Sequence, residues 1–232
     1  MTTITEPRVE LIAHTTLACN GRSPVIEGHM SLDPDAGDMQ QLVEFAGRAC
    51  YESWSKPNPA TAKNADYIAR TLHGRKHWSI AEHATATFYI TGVSRALTHE
   101  LIRHRHLSYS QLSQRFVDES EANIVIPPAA RGSEKFTWEF GNAAVGARHS
   151  YRELVEALLD SGLPRKQARE AARAVLPNMI ETRIVVTGNL RAWHEVIERR
   201  TAPDADAEFQ EVAGLIRDEL QKLAPAIFKE TN

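Results

Sequence analysis

The sequence predicts an α+β fold: a single domain with a mixed or antiparallel sheet and several long helices. Short stretches rich in β-branched and aromatic residues, with near-alternating polarity, lie far apart along the chain. Amphipathic helical periods fill the intervals, without the regular strand–helix alternation of a parallel doubly wound sheet. No Pro/Gly/Ser-rich linker or change of composition divides the 232 residues, so 1–232 reads as one domain.

The elements follow in order. "VELIAHTT" (Val9–Thr16) reads as a strand. "DMQQLVEFAGRAC" sets Leu42, Phe45, Ala46 and Ala49 at three- and four-residue spacings and reads as an amphipathic helix. "NADYIARTLHG" is a second helix, with Asn64 as its cap and Gly74 as its stop. "ATATFYITG" (Ala84–Gly92) is a strand. From Arg95 to Arg103, Leu97, Leu101 and Ile102 sit at helical spacing, which would align Arg95, His99 and Arg103 on one face. After Arg105 the period breaks, and "HLSYSQLSQR" reads as an ordered loop. "DESEANIVIPPAARGSEK" is the most loop-like stretch. "ARHSYRELVEALLDSG" is a helix ended by Gly162, and "PRKQAREAARAVLP" is another, opened by Pro164 and stopped by Pro177. "RIVVTG" (Arg183–Gly188) is a strand; "NLRAWHEVIERR" and "DAEFQEVAGLIRDELQKL" are the last two helices.

Composition narrows the function. With 27 Lys and Arg against 30 Asp and Glu, the chain lacks the broad basic excess of a nucleic-acid or membrane-surface binder. Cys19 and Cys50 are too few for a disulfide framework or a complete cysteine zinc site. The start "MTTITEPRVE" lacks the apolar core of a signal peptide, and no apolar run approaches membrane-spanning length, so a soluble cytoplasmic protein is expected. G-x-G-x-x-G, the P-loop, H-E-x-x-H and G-x-S-x-G are all missing.

Positive charge is instead concentrated locally. "RHRHLSYSQLSQR" (Arg103–Arg115) gathers three arginines, two histidines, three serines and two glutamines. The planar guanidinium fork makes paired hydrogen bonds to phosphate, so this stretch suits a phosphorylated small molecule. Arg165, Arg169 and Arg173 form a second four-residue row, and Asn189 and Arg191 follow a strand where binding loops commonly lie. "HWSIAEH" concentrates His77 and His83 just before a strand. Two other readings of the basic stretch exist: His99, His104 and His106 as metal ligands, disfavoured by the adjacent Arg103 and Arg105, and an RNA patch with Tyr109 stacking a base. Cys50 reads as a small core residue rather than a nucleophile.

The stretch resembles the signature of the flavin-dependent thymidylate synthases, R-H-R-x-x-S-x-N-x-x-S-x-R. Arg103, His104, Arg105, Ser108, Ser113 and Arg115 are in register, and Ser110 replaces the Asn. "FAGRACYESWSKPNP", "HWSIAEH", "FYITGVSRALTHELIRHRH", "RKQAREAARAVLPN" and "ETRIVVTGNLRAW" are similar to the family's blocks in the family's order, covering most of Phe45–Arg200. The resemblance implies methylation of dUMP to dTMP, with 5,10-methylenetetrahydrofolate as carbon donor, NADPH as reductant and FAD as hydride carrier. It implies a homotetramer whose non-Rossmann flavin sites lie at subunit interfaces.

Carried over position by position, the resemblance implies that dUMP meets Arg95, Glu100, Leu101, Ile102, Arg103, Gln111, Leu112, Ser113, Gln114, Arg115, Arg173 and Arg200. Of these, Arg200 is the catalytic cation that favours the ionised N3 of the uracil. FAD would contact Ser79, Arg103, His104, Arg105, Gln111, Asn189, Leu190, Arg191 and Glu195, with His77 near flavin and folate; no metal is implied. Ser113, with no general base visible, reads as a substrate contact rather than a covalent nucleophile. Two departures stand out: Gln111 is Glu in some members, and Glu195, with His194 before it, stands where a His is common.

Overall fold

Alternating side chains on four extended segments build the sheet on which the rest of the molecule rests. In this computed structural model, which describes residues 4–54 and 62–229, the strands are β1 (Arg8–His14), β2 (Thr85–Ser94), β3 (Leu107–Gln111) and β4 (Glu181–Asn189). Their order is β1-β2-β4-β3, and every pairing is antiparallel. Ala86, Phe88 and Ile90 of β2 and Ile184 and Val186 of β4 are fully buried on one face, where they join a core with Val43, Trp193, Val196, Phe209 and Ile216. On the other face Thr87 and Thr187 share a hydroxyl hydrogen bond of 2.9 Å.

The helices are α1 (Ala18–Gly21) and α2 (Pro24–Glu27), each about one turn, then α3 (Asp38–Ala49), α4 (Asn64–Ile68), α5 (Arg95–Leu101), α6 (Glu134–Asp160), α7 (Arg165–Ala172), α8 (Leu190–Arg200) and α9 (Ala207–Leu223). Helix α4 continues as a π turn ending at Gly74, and α7 continues as a 3₁₀ turn over Arg173–Val175. The segment Trp78–His83 is also 3₁₀. A smaller cluster of Ile124, Ile126, Ala144 and Ile180 packs beneath α6.

Five expectations are corrected. "HLSYSQLSQR" is not a loop at its start: Leu107–Gln111 is the edge strand β3, paired with β4 alone. Its alternation is hidden because Ser108 and Ser110 face outward and only Leu107 is strongly apolar. Helix α5 stops at Leu101, so Arg103 lies in the following turn rather than on the face of Arg95. Helix α6 begins 13 residues before the predicted start at Ala147, capped by Ser133, whose hydroxyl accepts from the Phe136 amide. Cys50 is exposed at the end of α3 and not in the core. Asn64 opens α4, but its side chain does not cap it. It is buried, receiving from Gln40 Nε2 at 2.9 Å and donating to Glu44 Oε2 at 2.8 Å.

Two features position the site. Gly92 takes a left-handed φ of +68° at the irregularity between Ile90 and Val93, where a Cβ would meet the Glu6 carbonyl. Ser94 then caps α5, accepting from the Leu97 amide at 3.1 Å. The buried Glu208 carboxylate accepts from Ser94 N at 2.7 Å and Ser94 Oγ at 2.6 Å, which ties the start of α9 to the start of α5.

Candidate active site

The turn after α5 is set by Tyr109. Its hydroxyl lies 2.7 Å from the Leu101 carbonyl and 2.6 Å from the His104 carbonyl, so one O–H is shared between them. Burial pushes this phenol up to about 12, and the proton stays on through neutral pH. The turn thereby presents Arg103, His104 and Arg105. Against it stands Arg200, at the end of α8: its Nε donates to His104 Nε2 at 3.0 Å and its Nη1 to Glu100 Oε2 at 2.9 Å. The guanidinium lies 4.8 Å over the ring of Phe209. Burial first, then Arg200 and Arg199, lower the pKa of His104, so the ring is neutral and accepts from Arg200.

The start of α8 forms the second wall. Asn189 caps the helix, its Oδ1 accepting from Ala192 N at 2.8 Å. Arg191 spans two acids, with Nη1 2.6 Å from Glu82 and Nε 3.4 Å from Glu195. Three adjoining cavities share residues here. One, of about 150 Å³, is lined by Glu82, His106, Asn189, Arg191 and Glu195. A second, of about 320 Å³, is lined by His77, Trp78, Ser79, Arg191, His194 and Glu195. A third, of about 200 Å³, is lined by Arg103, His104, Arg105, Glu195 and Arg199. Glu195 lines all three, whereas His194 stacks on Trp78 at 3.7 Å between centroids. Glu195 therefore faces the groove most fully.

A third group lies at the other end of α5. Arg95 Nη1 and Gln114 Nε2 are buried and lack hydrogen-bond partners. Burial lowers the pKa of Arg95, Glu119 opposes that, and Arg173 adds to it. Arg115 contacts Glu170 at 2.6 Å, and Arg169 contacts Asp118 at 2.8 Å. Gln111 ties β3 to α5 and β4, donating from Nε2 to Thr98 Oγ1 at 3.0 Å and Thr182 Oγ1 at 3.2 Å.

The structure thus brings Ser79, Arg103, His104, Arg105, Asn189, Arg191, Glu195 and His77 around one groove from distant stretches of the chain. Glu100 and Arg200 adjoin it through His104; Arg95, Gln114 and Arg173 gather elsewhere. Leu101 and Leu190 are fully buried, and Ile102 is exposed. Leu112 N donates to the Arg183 carbonyl, and Ser113 Oγ accepts from Arg115 N at 3.4 Å. Sequence reading missed Glu82, Glu119 and Phe209, because single acids and aromatics in unremarkable surroundings carry no local signal, and it gave Tyr109 only a base-stacking part in the RNA reading rather than its place in the turn. The similarity block ending in "SKPNP" runs from Ser55 to Pro59 outside the described residues. Among the described residues, no group of three or more His, Cys, Asp and Glu is placed to hold a metal ion, and no helix is long and apolar enough to cross a membrane.

Residues 34–226 match the family model "Thymidylate synthase complementing protein". The flavin-dependent thymidylate synthase of Mycobacteroides abscessus is 50% identical over 98% of this chain and 91% of its own length. That of Mycobacterium tuberculosis is 49% identical over 96% and 89%. The fold also matches the crystal structure of Thymidylate Synthase X (ThyX) from Helicobacter pylori with FAD and dUMP, with a TM-score of 0.66, 20% identity, and coverage of 97% of this chain and 100% of that one. On a family model spanning most of its length and relatives at half identity, the chain belongs to the flavin-dependent thymidylate synthase family of enzymes.

Proposed function

We propose that the enzyme converts dUMP to dTMP with 5,10-methylenetetrahydrofolate as carbon donor, NADPH as reductant and FAD as cofactor. The single observation that carries this reading is the groove around Glu195, which collects polar groups from three separated segments. Its donor set fits FAD: Arg103, Arg105, Arg191 and Arg199 line it, and a dianionic pyrophosphate needs such cations. Ser79, His104, Gln111 and Asn189 supply polar contacts, while buried Leu190 offers only main-chain atoms. When bound, FAD supplies the hydride that reduces the transferred carbon to a methyl group.

The chain's own residues bind, orient and polarise. Arg95 and Arg173, with Gln114 and Arg115, take the nucleotide phosphate, and the unpartnered N–H groups of Arg95 and Gln114 are donors awaiting an acceptor. Arg200 is a cation fixed on three sides, by His104, Glu100 and the Phe209 ring. Such a charge favours the ionised N3 of the uracil and so raises electron density at C5. Ser113, whose hydroxyl accepts from the main chain, contacts substrate without acting as a nucleophile. Glu100, Leu101, Ile102 and Arg103 lie alongside the nucleotide, and His77 lies beside flavin and folate. The chain is one domain over 1–232, works in the cytoplasm and assembles as a homotetramer.

The test is an anaerobic assay with dUMP, methylenetetrahydrofolate and NADPH on FAD-loaded protein. Production of dTMP supports the reading; a flavin spectrum that ignores dUMP, with no dTMP formed, would overturn it.

A further inference from the structure

We propose that Glu82 sets how tightly the flavin binds. It is a positioning residue that holds Arg191 in an ion pair across the groove, and the phosphates of the cofactor displace it. This rests on the reading of the groove as the FAD site.

Arg191 differs from the other cations of the groove. Arg103, Arg105 and Arg199 line the third cavity and make no ion pair among the described residues, whereas Arg191 meets two carboxylates. Its Nη1 lies 2.6 Å from Glu82 Oε1 and its Nε 3.4 Å from Glu195 Oε1. A guanidinium grips a phosphate with parallel hydrogen bonds through either of its edges, Nε with Nη2 or Nη1 with Nη2. Each edge of Arg191 already carries an acid, so neither is free. The cavity of about 150 Å³ that these three side chains line with His106 and Asn189 sets two carboxylates against one guanidinium. A dianionic group entering there meets repulsion until an acid withdraws.

Glu82 is the acid placed to withdraw. Glu195 sits one turn from Arg191 on α8 and belongs to the same wall. Glu82 comes from the opposite wall, the 3₁₀ segment Trp78–His83. That segment is fixed: Ile80 and Ala81 are buried, and Trp78 stacks on His194 of α8 with ring centroids 3.7 Å and planes 12° apart. Both walls therefore keep their main chains in place, and only the Glu82 side chain has to turn. It is 45% exposed, so the released carboxylate passes directly into water. An ion pair this exposed changes an affinity by about fivefold at most, so the cofactor wins the competition but binds less tightly for it.

The experiment is equilibrium dialysis of FAD-loaded, full-length wild type, Glu82→Gln and Glu82→Ala, with melts to check folding. The Kd for FAD should fall by about threefold to fivefold in both variants, because neither an amide nor a methyl group competes for Arg191 as a carboxylate does. Riboflavin, which carries the ring system without phosphate, should bind equally to wild type and variants, or to none of them. A purely structural role for Glu82 would loosen FAD instead. Unchanged or weaker FAD binding in the variants overturns the inference, and so does an equal gain for riboflavin. Failure of both variants to fold overturns it too, since the pair would then be holding the walls together. Wild-type protein that retains no FAD removes the flavin reading itself, which is a separate outcome from retention that Glu82 does not alter.

Discussion

Replacing Tyr109 by Phe removes one oxygen from the turn that presents Arg103–Arg105 and leaves the ring in place. The hydroxyl is shared by the Leu101 and His104 carbonyls, at 2.7 and 2.6 Å. Leu101 O keeps a second donor, the His104 amide at 3.1 Å, so the main loss falls on the carbonyl of His104. One hydrogen bond contributes about 1 kcal/mol net, and a half-buried carbonyl left unmatched costs about 1 more, so the loss is about 2 kcal/mol. No cavity opens, because the phenyl ring is retained. For a chain of this size, 2 kcal/mol lowers Tm by about 4–8 °C. The folded-state pKa lies above the unfolded value of 10.0, at about 12, so this stabilisation is fully present below pH 10 and fades as pH rises toward 12. Thermal melts at two pH values below 10 should therefore show the same loss, and a freer turn should retain flavin less well in dialysis. A variant that melts with the wild type and keeps its flavin would refute the role given to the hydroxyl; a loss confined to one of the two pH values would refute the ionisation argument.

The remaining predictions follow from the same contacts. Arg200→Lys keeps a charge but loses the fork between His104 and Glu100, so kcat should fall about 100-fold or more while flavin content is unchanged; parallel loss of both would mark a structural role. The raised pKa of Glu119 means that between its ordinary value of 4.5 and about 7 the folded chain holds a proton the unfolded chain has released. Stability should therefore decline as pH rises through that window, and Glu119→Gln should flatten the decline in melts taken across it. Gln111→Glu should lower Tm by about 2–4 °C and raise the KM for dUMP, measured in steady-state turnover, because it reverses the direction of one hydrogen bond.

Much of the fold was legible in sequence because burial and period coincide. In β2 and β4 every second side chain is buried, and the sequence shows that alternation plainly. The same rule failed at β3, an edge strand whose outward Ser108 and Ser110 and inward Gln111 leave little contrast between faces. It failed again in the first half of α6, where Gly141 and Gly146 and several aromatics weaken the helical signal and only Ala144 is buried. In the candidate site, the arginines were visible because they recur in a signature. Their acids were not: Glu82 is 109 residues from Arg191. Phe209 reads as an ordinary core position of α9, and nothing in its neighbours announces a ring beneath Arg200.

Gln111 shows how the choice between an amide and a carboxylate is decided by a residue's neighbours. Thr98 Oγ1 donates its one hydrogen to the Arg95 carbonyl at 2.9 Å, closing back on its own helix. That leaves only lone pairs for Gln111, so the partner must donate, and the amide Nε2 does so at 3.0 Å while also reaching Thr182 Oγ1. The amide orientation is assigned from this network, and the polarity of Thr98 permits no other. An ionised glutamate here would set a carboxylate against lone pairs unless Thr98 released Arg95, whose main chain opens α5. The choice of Gln over Glu is thus coupled, through one hydroxyl, to Arg95 at the start of the helix, the arginine proposed to take the phosphate.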